Sequence, residues 1–321
     1  MLEQLSFVVS VATVAGIYAI LTIGLNVHWG ETGLLNFGHV AFFAVGAYAS
    51  ALLTIAPPGE SATYIFGFDL PVGVGLLGAA ITAGLVAILL GVPTLQLRED
   101  YLAMVSIGLA EIIRYVMINE NWLTGGVGGL YGIDRPLSGV VPGEFYGLFY
   151  LGVVAVVVAG CYLYARRLKR TPFGRVLRSI REDEEVAKAL GKDTYRYRMQ
   201  AFVVGAVMAG LAGGLWAHYA TALTPTAFAA SVTFLTWVAL IVGGSGNPTG
   251  AIVGAVLIIG FREATRFLPD LYGLGQIIPS LRLIMVGLLV MAVIRFRPEG
   301  LVPERNVTYA EYLKRVGGGD E

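Results

Sequence analysis

Long apolar stretches, separated by short polar or glycine-rich intervals, recur along the whole chain. Runs at about 5–25, 37–56, 70–92, 146–165, 199–220 and 280–296 are long enough to cross a hydrocarbon core of roughly 30 Å. Three more, at about 101–118, 228–243 and 248–264, are shorter or interrupted. Strands of a membrane barrel alternate polar and apolar residues over about ten positions. These runs are apolar on every face, so a barrel is excluded. The pattern predicts an all-α polytopic membrane protein with about nine spans, within a range of 8–10. Glycine and asparagine inside the apolar runs predict broken or re-entrant helices, because irregular backbone at membrane depth survives only when buried in protein or lining a wet cavity.

Composition narrows the reading further. Of 321 residues, 56% are hydrophobic and 14% charged, against about 25% charged in soluble domains. The 43 glycines suit close helix packing in lipid. Net charge is formally zero, which gives no reason to expect a nucleic-acid partner. The single cysteine, Cys161, rules out an internal disulfide or a multi-cysteine metal site. The start, Met1-Leu2-Glu3-Gln4, has no basic stretch ahead of the first apolar run, so that run is expected to stay as a span. No Gly-x4-Gly-Lys-[Ser/Thr] phosphate loop is present, which argues against ATP hydrolysis by this chain. The three histidines, His28, His39 and His218, form no His-Glu-x-x-His pattern. Neither a metal nor a cofactor is expected.

Charge placement gives orientation. Residues 166–198 hold 11 of the 22 basic residues, which puts that loop in the cytoplasm. The loops 119–145, with only Arg135, and 57–69, with no basic residue, read as external. Nine spans then leave the N-terminus outside and the C-terminus, with Arg295 and Arg297, inside. The chain divides into a transmembrane domain, 1–303, which contains the basic loop, and a short polar tail, 304–321.

Within the loop, Thr171-Pro172-Phe173-Gly174 breaks the preceding helix, and 175–190 reads as one short amphipathic helix with Gly191 as its stop. Such a helix either docks a partner protein or lies on lipid headgroups. The acidic run Glu182-Asp183-Glu184-Glu185 favours a protein, since anionic lipid would repel it. Two candidate helix breaks, Gly24 to Gly38 and Gly243 to Gly250, fall in the two halves of the chain, as in transporters with a midplane site. Their polar residues, Asn26, His28, Asn36, His39 and Asn247, either cap half-helices or meet solute. Glu111 and Arg114, at i and i+3 in one span, share a helix face and read as an intramembrane ion pair, either a structural clamp or a ligand. The external run Thr124 to Leu130 is too glycine-rich for helix and reads as an anion-binding loop, a lid or a tight turn. The spacings Gly210…Gly214 and Gly250…Gly254 read as helix packing.

Glu185-Val186-Ala187-Lys188-Ala189-Leu190-Gly191 resembles the EAA-x3-G coupling motif of ABC importer permeases, with Val186 in place of the second motif residue. Its flanks, Thr171-Pro-Phe-Gly-Arg175 and Ser179-Ile-Arg-Glu-Asp-Glu-Glu185, are similar to the LivM-type branched-chain amino acid permease family. So are Gly24-Leu-Asn-Val-His-Trp-Gly30, Gly33-Leu-Leu-Asn-Phe-Gly-His39, Gly46-Ala-Tyr48, Leu123-Thr-Gly-Gly126, Gly243-Gly-Ser-Gly-Asn-Pro248 and Arg297-Pro-Glu-Gly-Leu301. The resemblance covers most of the chain. It implies a multi-pass permease subunit of the inner (plasma) membrane that is not itself an enzyme. Such a subunit works with two ATP-binding cassette subunits, a second homologous permease and an external solute-binding protein. It further implies coupling to the ATPase through Arg178, Glu184, Glu185, Ala187 and Gly191. Its pathway would be walled near Asn36, Gly38, His39, Thr124, Gly243, Gly244 and Asn247. The implied solutes are branched-chain or related amino acids, with urea or short amides in relatives. An ion-coupled secondary transporter would instead need a coupling carboxylate, for which Glu111 is the candidate, and it leaves the basic loop unexplained. A lipid-acting membrane enzyme would need a catalytic constellation that the sequence does not display.

Overall fold

The computed structural model describes residues 2–59, 64–264 and 278–304. Twelve α-helices are present among them: α1 (Leu2–Thr32), α2 (His39–Thr54), α3 (Val72–Thr94), α4 (Glu99–Asn119), α5 (Asn121–Thr124), α6 (Gly143–Arg170), α7 (Pro172–Glu182), α8 (Glu184–Ala189), α9 (Thr194–Ala220), α10 (Ala230–Gly243), α11 (Pro248–Ala264) and α12 (Ile278–Phe296). Each of the nine apolar runs coincides with one of these helices. Five described helices are long and apolar enough to cross a bilayer alone, and α10 with α11 forms a pair bent by 119°. At 14 and 17 residues, each helix of this pair is shorter than a full span.

The spans of α1 and α9 are 72% buried, whereas those of α4 and α6 are 22% buried. The first two form the axis, with α2, α6, α10 and α11 packed around it and α3 against α9. Small residues make this packing close. A Cβ on Gly213 would strike the Phe43 carbonyl, and one on Gly46 would strike Gly210, so α2 and α9 touch backbone to backbone. A Cβ on Gly254 would likewise strike Ala239 across the α10–α11 pair. The packing expected from the Gly210…Gly214 and Gly250…Gly254 spacings is therefore what these glycines provide.

The far end of the bundle is closed by a two-residue antiparallel pairing, with Leu130 opposite Leu223 and Tyr131 opposite Ala222. The glycine run leading into it is a series of tight turns. Gly125, Gly126 and Gly129 all take positive φ, and the Thr124 hydroxyl donates to the carbonyls of Met117 and Glu120. The opposite end gathers the C-terminus of α1, the α3–α4 connection, α7, α8, the break between α10 and α11, and residues 297–304. All 11 basic residues of 166–198 lie at or beside this end.

Candidate functional site

The predicted single amphipathic helix is two helices, and the sequence explains why. Thr171 caps α7 by accepting from the Gly174 amide, with Pro172 in the first turn. Asp183 adopts extended backbone (φ −159°, ψ 105°) and its carboxylate accepts from the Val186 amide at 3.0 Å. A helix passing through Asp183 would forfeit that cap. It would also lose the favourable position of Glu184 and Glu185 at the positive end of α8. Gly191 ends α8 at φ +74°, as expected of a left-handed stop.

Leu177 and Ile180 of α7 and Ala187 of α8 are buried, while Val186 and Leu190 are 54% and 71% exposed. Glu184 holds α8 against α9, accepting from Arg198 at 2.8 Å and Thr194 at 2.9 Å and pairing with Lys188 at 3.0 Å. Burial would raise its pKa, but the Lys188 hydrogen bond, the Arg198 charge and the Thr194 hydroxyl outweigh burial and hold it below the usual glutamate value. Arg178 reaches back to the Lys169 carbonyl at 3.4 Å. The outward surface of α8 therefore presents Glu185, Val186, Lys188, Ala189 and Leu190. Beside it lies a polar recess lined by Gln96, Leu97 and Arg98 of the α3–α4 connection.

The first helix break occupies only the last part of the expected stretch, Gly24 to Gly38. Helix α1 continues unbroken through Gly24, Asn26 and His28 to Thr32. Gly24 serves packing, since a Cβ there would approach the Gly205 carbonyl of α9 to 2.6 Å. The break is residues 33–38. His28 Nε2 donates to the Phe202 carbonyl at 2.8 Å, which leaves Nδ1 to accept from the Asn36 amide at 3.1 Å. Asn36 Oδ1 takes the Gly38 amide at 2.9 Å, and the Asn36 carbonyl takes the Trp237 indole at 3.1 Å. His39 Nε2 donates to the Leu21 carbonyl at 3.0 Å. Ser106 and Thr233 accept the amides of Phe37 and Val40 that begin the α2 turn. The second break is residues 244–247. Asn247 caps α11 by accepting the Thr249 amide at 3.0 Å, and the Gly246 amide donates to Asn26 Oδ1 at 2.8 Å.

A protein-family model described as the permease component of the branched-chain amino acid transport system matches residues 7–294. The chain belongs to this permease family. Among curated relatives, the LivM permease of Escherichia coli K12 is 34% identical, over 92% of this chain and 70% of that protein. A probable LivM of Methanocaldococcus jannaschii is 28% identical, over 94% of each chain. The guanosine ABC transporter permease NupQ of Bacillus subtilis is 25% identical, over 95% of this chain and 96% of that one. No solved structure matches. The permease is a multi-pass membrane transport subunit rather than an enzyme, and the LivH relatives imply a partner permease beside the ATPase subunits.

The permease brings the two breaks together at the end where α7 lies. Asn26 joins Gly246 to α1, and Arg181 of α7 donates to the Gly30 carbonyl just before the first break. Most of the residues expected to wall a pathway are buried. Asn36, His39 and Thr124 are 1%, 0% and 3% exposed; Asn36 and Thr124 bond within the permease, while His39 Nε2 holds the Leu21 carbonyl and its Nδ1 has no partner among the described residues. Gly38, Gly243 and Gly244 permit close backbone approach to Ser106, Gly250 and the Val302 carbonyl. Surface at the first break comes instead from half-buried Phe37, stacked on Trp237 at 4.9 Å and beside Phe234, which is 48% exposed. Glu111 and Arg114 do pair, at 2.8 Å on α4, with side chains 33% and 21% exposed.

Sequence reasoning missed Glu31, Lys169, Arg181 and Glu304 as a group. Glu304 accepts from Lys169 at 2.6 Å and Arg181 at 3.1 Å. Glu31 is 1% exposed, 4.0 Å from Lys169, and neither of its carboxylate oxygens has a hydrogen bond among the described residues. The one available signal was an acidic residue, Glu31, ending an apolar run. Glu304 stands at the boundary where the polar tail was expected to begin, yet its side chain is only 13% exposed. The remaining tail residues, 305–321, lie outside the described residues.

Proposed function

We propose that this permease carries branched-chain or related amino acids into the cytoplasm as one half of an ABC importer pathway. The observation that carries the reading is that both helix breaks meet α7 at the bundle end bearing the basic loop. One of the two ATPase subunits docks on the outward face of α8 and the neighbouring α3–α4 connection. A second permease completes the pathway, and an external binding protein delivers solute to the far end. The basic end is cytoplasmic, which sets the N-terminus outside and the C-terminus inside. Docking on protein rather than lipid is supported by Glu185 beside exposed Val186 and Leu190, since anionic headgroups would repel the acidic start of α8. Solute passes along the surface where Phe37 and Phe234 meet the first break.

The test is reconstitution of the permease with its ATPase, partner permease and binding protein in liposomes, with leucine, isoleucine, valine, guanosine and urea offered separately. Uptake of the amino acids should require ATP and survive a protonophore. Uptake that follows the proton gradient without ATP would overturn the importer reading. Preference for guanosine or urea would overturn the substrate class alone.

A further inference from the structure

The stretch Arg297-Pro-Glu-Gly-Leu301 has so far been given no task. After α12 the chain turns at Gly300, whose amide donates to the Arg297 carbonyl at 2.8 Å, and then runs along the end of α10. The Leu301 amide donates to the Val242 carbonyl at 3.0 Å and the Val302 amide to the Gly243 carbonyl at 2.9 Å. A helix C-terminus leaves its last carbonyls unpaired, and this strap supplies the donors. Asn247 fastens the other side of the break, donating to the Pro303 carbonyl at 3.2 Å. The strap ends in Glu304, whose two oxygens bind cations from two different helices. Lys169 of α6 lies at 2.6 Å from one, and Arg181 of α7 at 3.1 Å from the other. Each cation also donates to a main-chain carbonyl next to a break, Lys169 to Gly246 and Arg181 to Gly30.

We propose that Glu304 is a positioning residue for transport: it clasps α7 to both helix breaks, and Lys169 exchanges between Glu304 and Glu31 when α7 moves. Glu31 lies within reach of the same cation. Its carboxylate is buried without a hydrogen bond among the described residues, 4.0 Å from Lys169. An unsatisfied buried carboxylate is costly, and a small displacement of Lys169 would satisfy it. Two discrete partners for one cation make a two-state element that motion at α7 can bias. When the ATPases draw α7 outward, Arg181 and Glu304 move with it, the strap releases the α10–α11 break, and Lys169 turns to Glu31. The proposal rests on the reading of α7 and α8 as the docking element.

The two carboxylates then have opposite roles, and this separates the proposal from simple loss of structure. The experiment uses the complete importer in liposomes, with ATPase content, ATP turnover and solute uptake read on the same preparation. Glu304→Gln should retain bound ATPase and keep hydrolysing ATP, with solute moved per ATP falling at least fivefold. Glu304→Asp, which keeps the charge but shortens the reach, should fall between. Glu31→Gln removes the second partner, so ATP turnover and uptake should drop together while solute per ATP stays near wild type. If both variants lower turnover and uptake in the same proportion, or neither changes them, the clasp is refuted. Should Glu304→Gln not assemble, Glu304→Asp and Glu31→Gln still decide by the same ratio. Failure of the docking reading would show separately, as ATPase recruitment undisturbed by Leu190→Asp.

Discussion

Leu190→Asp tests the docking surface most directly. Leu190 is 71% exposed and Val186, four residues earlier on the same face, is 54% exposed. In the isolated permease the change removes little buried contact, so folding should shift by no more than about 0.5 kcal/mol. In the assembled importer the side chain would be covered. Complete burial of a leucine contributes about 1.5–3 kcal/mol, and the exposed fraction of Leu190 scales that to about 1–2 kcal/mol. Sealing a carboxylate beside Glu185 adds about 1 kcal/mol or more of desolvation cost. The sum of about 2–3 kcal/mol corresponds to a roughly 30- to 150-fold weaker ATPase affinity. Titration of the purified ATPase onto the permease in nanodiscs measures this, with thermal stability of the permease alone as the control. Leu190→Met, similar in size and polarity, should bind within tenfold of wild type. Wild-type affinity and uptake in Leu190→Asp would show that α8 is a membrane-surface helix and not a docking element.

Other outcomes follow from particular contacts. Gly191 has φ +74° and open space where a Cβ would stand, so Gly191→Val costs only backbone strain, about 1–2 kcal/mol, and should cut transport about tenfold in uptake assays while Gly191→Asn largely retains it. Glu111→Gln strands the Arg114 charge on half-exposed α4, at up to about 3 kcal/mol; immunoblots should show reduced membrane levels, restored by adding Arg114→Gln. Gly213→Ala drives a methyl into the Phe43 carbonyl and should destabilise by about 1–3 kcal/mol, lowering the unfolding temperature in detergent, whereas Gly108→Ala, with nothing within 4 Å, should not. Glu184 is held below its usual pKa of 4.5, so its brace is complete above that value and lost as pH falls through the lowered one; hydrogen exchange over residues 184–194 should rise only in acid, and Glu184→Gln should remove the dependence.

The apolar runs were legible because hydrophobicity reports burial or lipid contact locally, and all nine coincide with helices. Two helix boundaries were legible too: the break at Thr171-Pro172 and the stop at Gly191 act through neighbours within three residues. Reading 175–190 as one helix failed because amphipathic periodicity continues across Asp183, while the cap that breaks the helix is a single side-chain bond. The first break fills only part of the expected stretch because a glycine in an apolar run has two uses. At Gly24 the missing Cβ admits another helix; at Gly33 it admits a left-handed turn. The clasp was not legible at all. Glu304 and Arg181 lie 123 positions apart, and periodicity reports which face is covered but not which distant segment covers it.

The polar residues at the breaks bear on how solute is held. Asn36, His28 and Asn247 are committed to backbone groups or to one another, which holds the two non-helical segments in place. A side chain whose hydrogen-bonding capacity is already used cannot also grip a zwitterion without giving up a buried partner, and each buried group left unpaired costs about 1–3 kcal/mol. On the proposed route past the first break, solute would therefore meet Phe37 and Phe234 rather than the amide of Asn36. Aromatic surface attracts an apolar side chain but barely holds an ammonium or carboxylate that could stay hydrated. Weak retention would suit a route whose cargo must leave at the cytoplasmic end, and on the proposed assembly it would leave selectivity to the external binding protein. Phe234→Asn should accordingly change the uptake rate while leaving the order of preference among leucine, isoleucine and valine unaltered. Competition uptake in the reconstituted importer reads that order, and a reversed order in Phe234→Asn would move selectivity into the permease.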